Sequence, residues 1–248
     1  MSVRTRYRIP LLFAALLLPA LASARQEKVY QAYVEKDMDV WREVIDSMRR
    51  IQDPSLEQRE NIVNFEYGYV AWALSCMETH KKEAQKYLTQ GYADLSAYEK
   101  AGGAKARVAA YRSAFIAYDM KLHPAKIPFV GLKSISDAKT ALKHDPSDFF
   151  PKIQYGNVMY YLPAGLGGSK AEALVSYKQA LLIMERQGQT RHWMYLNLLL
   201  TLAEIYKSKG QYQVVQAYYD KILRHEPGFT WVRDSLVPAN QARLRGER

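Results

Sequence analysis

The residues that most suggest chemistry are two glycines followed by a serine and a lysine, residues 167–170, at the end of the stretch YYLPAGLGGSK. Glycine-rich turns at a helix N-terminus can bind phosphate through exposed backbone N–H groups. A nucleotide-binding loop, however, needs the order G-x4-G-K-[ST] after a buried strand, whereas here the serine precedes the lysine after a predicted helix. We therefore expect a turn, and keep Gly168, Ser169 and Lys170 as a candidate site for a simple anion.

Side chains that could bind a metal or act as nucleophiles are few and scattered. None of the five histidines has another histidine three or four residues away, so no metal-binding helix face is indicated. The lone cysteine, Cys76, cannot form an intramolecular disulfide, and its apolar surroundings favour a buried, inert thiol. We expect no metal, no cofactor and no catalytic residue.

The N-terminus is typical of a secretory signal peptide. Residues 1–24 carry three arginines, an apolar run at 11–18 and a final Ala-Ser-Ala, which predicts cleavage after Ala24 and a periplasmic protein with no transmembrane segment after cleavage. Removing this segment lowers the formal charge from +10 to +7, because it contains three arginines and no acidic residue. Because an exported protein does not meet genomic nucleic acid, we expect no nucleic acid as partner despite the positive charge. Anionic lipid head groups, acidic glycans and envelope proteins are the partners that its charge favours.

The rest of the chain predicts helices that are apolar on two sides and must therefore lie between neighbours. Shifting the sequence by 39 residues aligns PAKI at 124–127 with PAGL at 163–166, so we expect both at turns between paired helices. Pro163 should end the helix before its turn. Ser169, followed by Glu172, and Ser134, followed by Asp137, predict the N-caps of the two helices that come next.

The segment LLTLAEIYKSKGQYQVVQAYYDKILRHEP, residues 199–227, resembles a tetratricopeptide repeat, with Leu202, Ala203, Tyr206, Gly210 and Pro227 at the family's spacing. The resemblance implies an all-α, right-handed solenoid of antiparallel helical hairpins. The implied organisation is a signal peptide (1–24), diverged hairpins (25–103), repeats within 104–227 (110–146, 149–185 and 193–227), and a capping helix with a basic tail (228–248).

The same resemblance implies a concave groove lined by the first helix of each hairpin. The register of the repeat gives as groove residues Tyr69, Trp72, Tyr111, Tyr118, Lys121, Asn157, Tyr160, Asn197, Glu204 and Lys207. We expect a non-catalytic binding or assembly module for a protein, peptide or envelope ligand. Two alternatives stay open: a cell-wall or glycan enzyme, which would need a deep pocket with a desolvated carboxylate, and a small-ligand component accompanying a solute transporter, which would need an enclosed apolar tunnel.

Overall fold

A computed structural model describes the backbone of residues 12–247 and the side chains of residues 24–247. The described part is all-α, which confirms the predicted class, and it contains no β-strand. Its helices are α1 (Leu12–Glu35), α2 (Met38–Arg49), α3 (Leu56–Ser75), α4 (Met77–Lys100), α5 (Lys105–Leu122), α6 (Ile127–His144), α7 (Phe149–Tyr161), α8 (Lys170–Arg186), α9 (Trp193–Lys207), α10 (Tyr212–His225) and α11 (Val237–Leu244), the last preceded by a π-helical turn (Val232–Leu236).

The predicted signal peptide falls largely outside the described residues. Residues 1–11 are not described, and of residues 12–23 only the helical backbone is. The expected cleavage point after Ala24 lies within α1. Cleavage and export therefore stay predictions. Among the described helices, none is both long and apolar enough to cross a bilayer.

Successive helices pair as hairpins. The most extensive contacts join α3 to α4, α5 to α6, α7 to α8 and α9 to α10, and the first helices of neighbouring hairpins, α3, α5 and α7, also touch in order. The sequences PAKI and PAGL lie at the α5–α6 and α7–α8 turns, as predicted, and each contains a short 3-10 turn. Handedness and membership of the tetratricopeptide family stay predictions.

Small residues allow the helices to approach closely. A Cβ atom on Gly68 of α3 would lie 2.6 Å from the Trp41 ring and 2.8 Å from the Trp193 ring, so both indoles pack directly on the backbone. Between α5 and α6, Ser113 and Ser134 each donate a hydroxyl hydrogen bond to the other's carbonyl oxygen, at 2.8 and 2.9 Å. The small residue at each crossing leaves the space that its partner fills, the indole rings at Gly68 and the facing serine at Ser113.

The ends of the helical array meet. Helix α1 contacts α9, where the Tyr33 hydroxyl donates to Asn197 Oδ1 at 3.2 Å. Nearby, Arg191 Nε donates to Glu27 Oε2 at 2.9 Å. The Trp193 ring lies edge-on to Trp41 of α2, with centroids 5.1 Å apart. Residues from the first and last thirds of the chain thus share one aromatic core.

Three local predictions can be checked directly. Ser169 is the N-cap of α8, its hydroxyl accepting from the Glu172 N–H at 3.2 Å, and Pro163 directly follows the end of α7, so both are confirmed. Ser134 is not an N-cap, because α6 already begins at Ile127 and buries Ser134 mid-helix. Pro128 fits in the first turn of α6, where a helix needs no N–H donor, which is why it does not stop the helix.

Candidate functional site

The inner face of the array is occupied by hydrogen-bonded aromatic and amide side chains. Gln154 donates to the Tyr67 hydroxyl at 2.9 Å, Asn157 donates to Gln154 Oε1 at 3.1 Å, and the Tyr177 hydroxyl donates to Asn157 Oδ1 at 2.7 Å. Tyr118 stacks on Tyr67 with centroids 5.6 Å apart. Burial raises the pKa of Tyr67 and Tyr118, so both phenols stay neutral. This inner network is rigid because its members satisfy one another.

Two of the predicted groove residues belong to this inner network. They are Tyr118 and Asn157, and both are only partly buried. A third, Tyr160, is also partly buried, with its ring 5.0 Å from that of Tyr161 and the Lys170 ammonium 5.5 Å from its centroid. The concave groove itself stays a prediction.

Tyr69, Tyr111 and Trp72 lie in contacts between helices instead of on a free surface. Tyr69 is 1% exposed and donates its hydroxyl to Glu83 of α4 at 2.6 Å. Tyr111 is fully buried and accepts from the Asn64 amide at 2.9 Å. Trp72 is partly buried, and it packs on Tyr69 of its own helix and on His80 of α4. Because α3 and α5 are enclosed by neighbours on several sides, positions that face a ligand in an open groove face the core here.

The remaining groove candidates are spread along the exposed surface. Lys121 is exposed at the end of α5. Asn197 is exposed but accepts the Tyr33 hydroxyl, and so contributes to the contact between the chain ends. Glu204 and Lys207 pair with each other one turn apart, at 3.2 Å. The structure does not bring these four residues to the inner network.

The α7–α8 turn has little free capacity for an anion. The N–H groups of Gly168 and Ser169 already donate to the carbonyls of Pro163 and Met159, at 3.1 and 2.9 Å. The Ser169 hydroxyl caps α8, and the Lys170 ammonium lies over Tyr160. Two of the backbone donors of the predicted anion site are therefore engaged within the turn, and the site itself stays a prediction. Cys76, expected to be buried, is exposed, since it lies at the junction of α3 and α4 where the chain turns.

A desolvated carboxyl group is present, but it does not face a pocket. Glu66 of α3 is fully buried, and neither carboxyl oxygen has a hydrogen-bond partner among the described residues. Burial, reinforced by the charge of Asp94, raises its pKa well above the usual range, although Arg49 opposes the shift. The nearby cavity of 190 Å³ is lined by Arg49 and Asp94 but not by Glu66. Glu66 is therefore buried behind this cavity, next to Arg49, and does not line it.

The largest apolar side chains on the surface gather at the turns between paired helices. Phe129 is 85% exposed, Leu132 81%, Tyr161 79% and Leu166 72%. The first two lie on the opening turns of α6 and the others around the α7–α8 turn. Consecutive hairpins place their turns at the same edge of the array. Large exposed apolar side chains therefore occur at two turns on one edge of the array, where a surface of this kind is a candidate for binding a ligand or partner.

A shallow, open surface continues from this apolar edge along the outer face of α6. It borders about 340 Å³ of space and is lined by Leu132, Ile135, Ser136, Lys139, Thr140 and Lys143, all on this one helix. With Phe129 one turn earlier, these residues follow the three-and-four spacing of one helix face. We call this surface, Phe129 together with the lining residues, the α6 groove. It is apolar at its N-terminal end and basic at its C-terminal end.

Sequence analysis missed the α6 groove, although a signal was present. Phe129, Leu132, Ser136, Lys139 and Lys143 recur at helical spacing, but PAKI at 124–127 predicts a turn and Ser134 an N-cap, which places Phe129 and Leu132 before the predicted helix. Because α6 starts at Ile127, these residues lie on one face of a single helix. The signal in the sequence is Pro128, because proline is favoured in the first turn of a helix and therefore also fits a helix that starts before Phe129.

Comparison with known proteins gives a likeness in fold alone. No protein-family model matches the chain, and a search of the curated proteins finds no match. Among solved structures, the chain is similar to the HusA haemophore from Porphyromonas gingivalis, with a TM-score of 0.57 and 16% sequence identity over 74% of this chain and 94% of that chain. The described part of this chain therefore shares the helical architecture of a haemophore.

Proposed function

We propose that this protein is a non-catalytic binding protein for a flat, apolar ligand that carries anionic groups at one edge, and that haem is such a ligand. The observation that carries the proposal is the α6 groove, where exposed apolar side chains adjoin lysines along one helix face. Likeness in fold to a haemophore supports haem as the first ligand to test. Haem would be cargo here, not a catalytic cofactor.

The residues of the α6 groove fit a porphyrin. Phe129, Leu132 and Ile135 offer aromatic and aliphatic surface to the macrocycle, and burying that surface drives association. Lys139 and Lys143, at the opposite end, offer positive charge to carboxylates. A predicted peptide groove on the inner face is less well supported, because Tyr69 and Tyr111 are buried in helix contacts.

The α6 groove recognises the porphyrin ring and not its metal. Histidine, methionine, cysteine and tyrosine are the usual protein ligands of haem iron, and none of them lines the groove. Metal-free protoporphyrin IX should therefore bind with an affinity close to that of haem.

The experiment is a titration of the purified protein with haem and with protoporphyrin IX, followed by absorbance and by quenching of tryptophan fluorescence. The double variant Phe129→Ser/Leu132→Ser should weaken binding of both porphyrins by about tenfold or more, since two large apolar contacts are lost. Its matched control is Val175→Ser/Leu182→Ser, which removes exposed apolar side chains from α8 and should leave affinity unchanged. Equal loss in both double variants would show non-specific adsorption and contradict the proposal.

Other occupants of the α6 groove give different results in the same set of variants. If a second copy covers it, the wild-type protein sediments as a dimer, the Phe129→Ser/Leu132→Ser variant sediments as a monomer, and porphyrin does not bind. If a membrane surface covers it, vesicles of anionic lipid co-sediment with the wild-type protein but not with that variant. Either outcome, without porphyrin binding, overturns the proposed function. The export that would place such a carrier in the periplasm is part of the proposal, and N-terminal sequencing of the mature protein tests it.

A further inference from the structure

We infer that Lys139 and Lys143 recognise the carboxylates of the ligand and so fix its orientation in the α6 groove; this inference rests on the proposed function. The two residues are four apart on one helix, so their side chains leave the same face about one turn apart. Both line the groove at the end away from Phe129. A dicarboxylate ligand would thus lie with its acidic edge over these lysines and its apolar edge over Leu132.

Lys139 and Lys143 differ from the neighbouring lysines in whether an acidic side chain pairs with them. Lys126 is held by Asp119 at 2.8 Å, and Lys133 by Asp137 at 3.2 Å. Among the described residues, neither Lys139 nor Lys143 takes part in an ion pair or a side-chain hydrogen bond. The basic end of the groove therefore has two exposed ammonium groups whose charge is not neutralised by a partner. An anionic group placed there gains attraction without breaking a contact within the protein.

The orientation has a chemical consequence for ligand choice. Porphyrins with free carboxylates along one edge satisfy both ends of the α6 groove at once, whereas esterified porphyrins satisfy only the apolar end. The preference for the free acid is electrostatic, so it should decrease as salt concentration rises. The preference should not depend on a metal, because the lysines act on the edge of the ring.

The test compares protoporphyrin IX with its dimethyl ester in the same buffer and cosolvent. The wild-type protein should bind the free acid about fivefold to tenfold more tightly than the diester, the range for two exposed charge contacts. In Lys139→Gln/Lys143→Gln this ratio should fall to about one, with affinity for the diester unchanged. The matched control is Lys126→Gln/Lys133→Gln, which removes the same charge from paired lysines on the same stretch and should keep the ratio. Circular dichroism checks that each variant is folded.

The outcomes separate this inference from the proposed function. Equal affinity of the wild-type protein for acid and diester overturns the role of Lys139 and Lys143 and leaves porphyrin binding intact. A preference lost equally in both lysine variants shows attraction to the general positive surface, and also overturns it. Binding of neither porphyrin overturns the proposed function and, with it, this inference. Only selective loss of the acid preference in Lys139→Gln/Lys143→Gln supports it.

Discussion

The inner network and the α6 groove both contain large side chains, but neighbouring helices supply partners only to the first. On the inner side, Tyr67, Gln154, Asn157 and Tyr177 are joined by hydrogen bonds. On the outer face of α6, Phe129 is 85% exposed. The exposed surface of this protein is therefore set by which helix faces the neighbouring helices leave uncovered, and not by where aromatic residues are most frequent.

The strongest way to test this difference is to remove a ring from the shared core. Trp193→Ala should lower the free energy of unfolding by about 3 to 5 kcal/mol, because it leaves a cavity between α2, α3 and α9. It also leaves Asn64 without the indole N–H that it accepts at 2.9 Å. The measurement is urea unfolding followed by circular dichroism. Phe129→Ala is the exposed counterpart and should change the free energy by no more than about 0.5 kcal/mol. Similar losses in both variants would mean that the turn edge is packed.

The buried carboxyl of Glu66 gives a pH-dependent test of the interior. Its pKa is 4.5 when unperturbed and is raised in the folded protein by burial and by Asp94. As pH rises above 4.5, the unfolded chain releases this proton while the folded chain retains it, so the unfolding free energy falls by up to about 1.4 kcal/mol per pH unit. Glu66→Gln removes this dependence, so its stability relative to wild type should increase as pH rises above 4.5.

Urea unfolding of wild type and Glu66→Gln at a series of pH values measures this gain. Glu78→Gln, at an exposed position on α4, is the control and should show no gain that grows with pH. A constant difference between Glu66→Gln and wild type across the range would show that Glu66 is ionised in the folded protein and paired with Arg49.

Two glycines of the α7–α8 turn test whether the turn edge is ordered without a ligand. A Cβ on Gly168 would lie 1.8 Å from the Leu162 carbonyl oxygen, so Gly168→Ala must displace backbone and should cost about 1 to 3 kcal/mol of stability. Gly165 has nothing within 4 Å of such an atom, and Gly165→Ala should be nearly neutral. Thermal unfolding compares the two. Equal melting temperatures would contradict the ordered turn and, with it, the fixed placement of Leu166.

The smallest expected loss of stability is for Tyr160, which is compared with Tyr118 of the inner network and with the buried Leu202. Tyr160→Ala should lower the unfolding free energy by about 1 kcal/mol or less, because the ring is only partly buried. Tyr118→Ala, which removes the ring stacked on Tyr67, should cost more, and Leu202→Ala, at a fully buried position, about 2 to 5 kcal/mol. The order of the three melting temperatures is the measurement. If Tyr160→Ala melts as early as Leu202→Ala, Tyr160 belongs to the core and not to a surface.

Local patterns predicted much of the fold and little of the site. The all-α class, the turns at PAKI and PAGL, and the cap at Ser169 follow from spacing over a few residues, and the structure bears them out. The burial of Tyr111 depends on Asn64, 47 residues away, and that of Trp193 on Trp41. No local pattern contains such contacts. The α6 groove was missed for the opposite reason, since its signal was local but depended on the helix starting at Ile127.

The contact between α1 and α9 has a kinetic consequence. Most contacts of a hairpin array join neighbours in sequence and form quickly, but the Tyr33–Asn197 hydrogen bond joins residues 164 positions apart. In a chain synthesised from its N-terminus, α1 can pack on α2 and α3 early, but the side of α1 that contacts α9 stays uncovered until α9 emerges. We therefore expect the closing contact between α1 and α9 to form late in folding, and the array to resist unravelling from either end once that contact has formed.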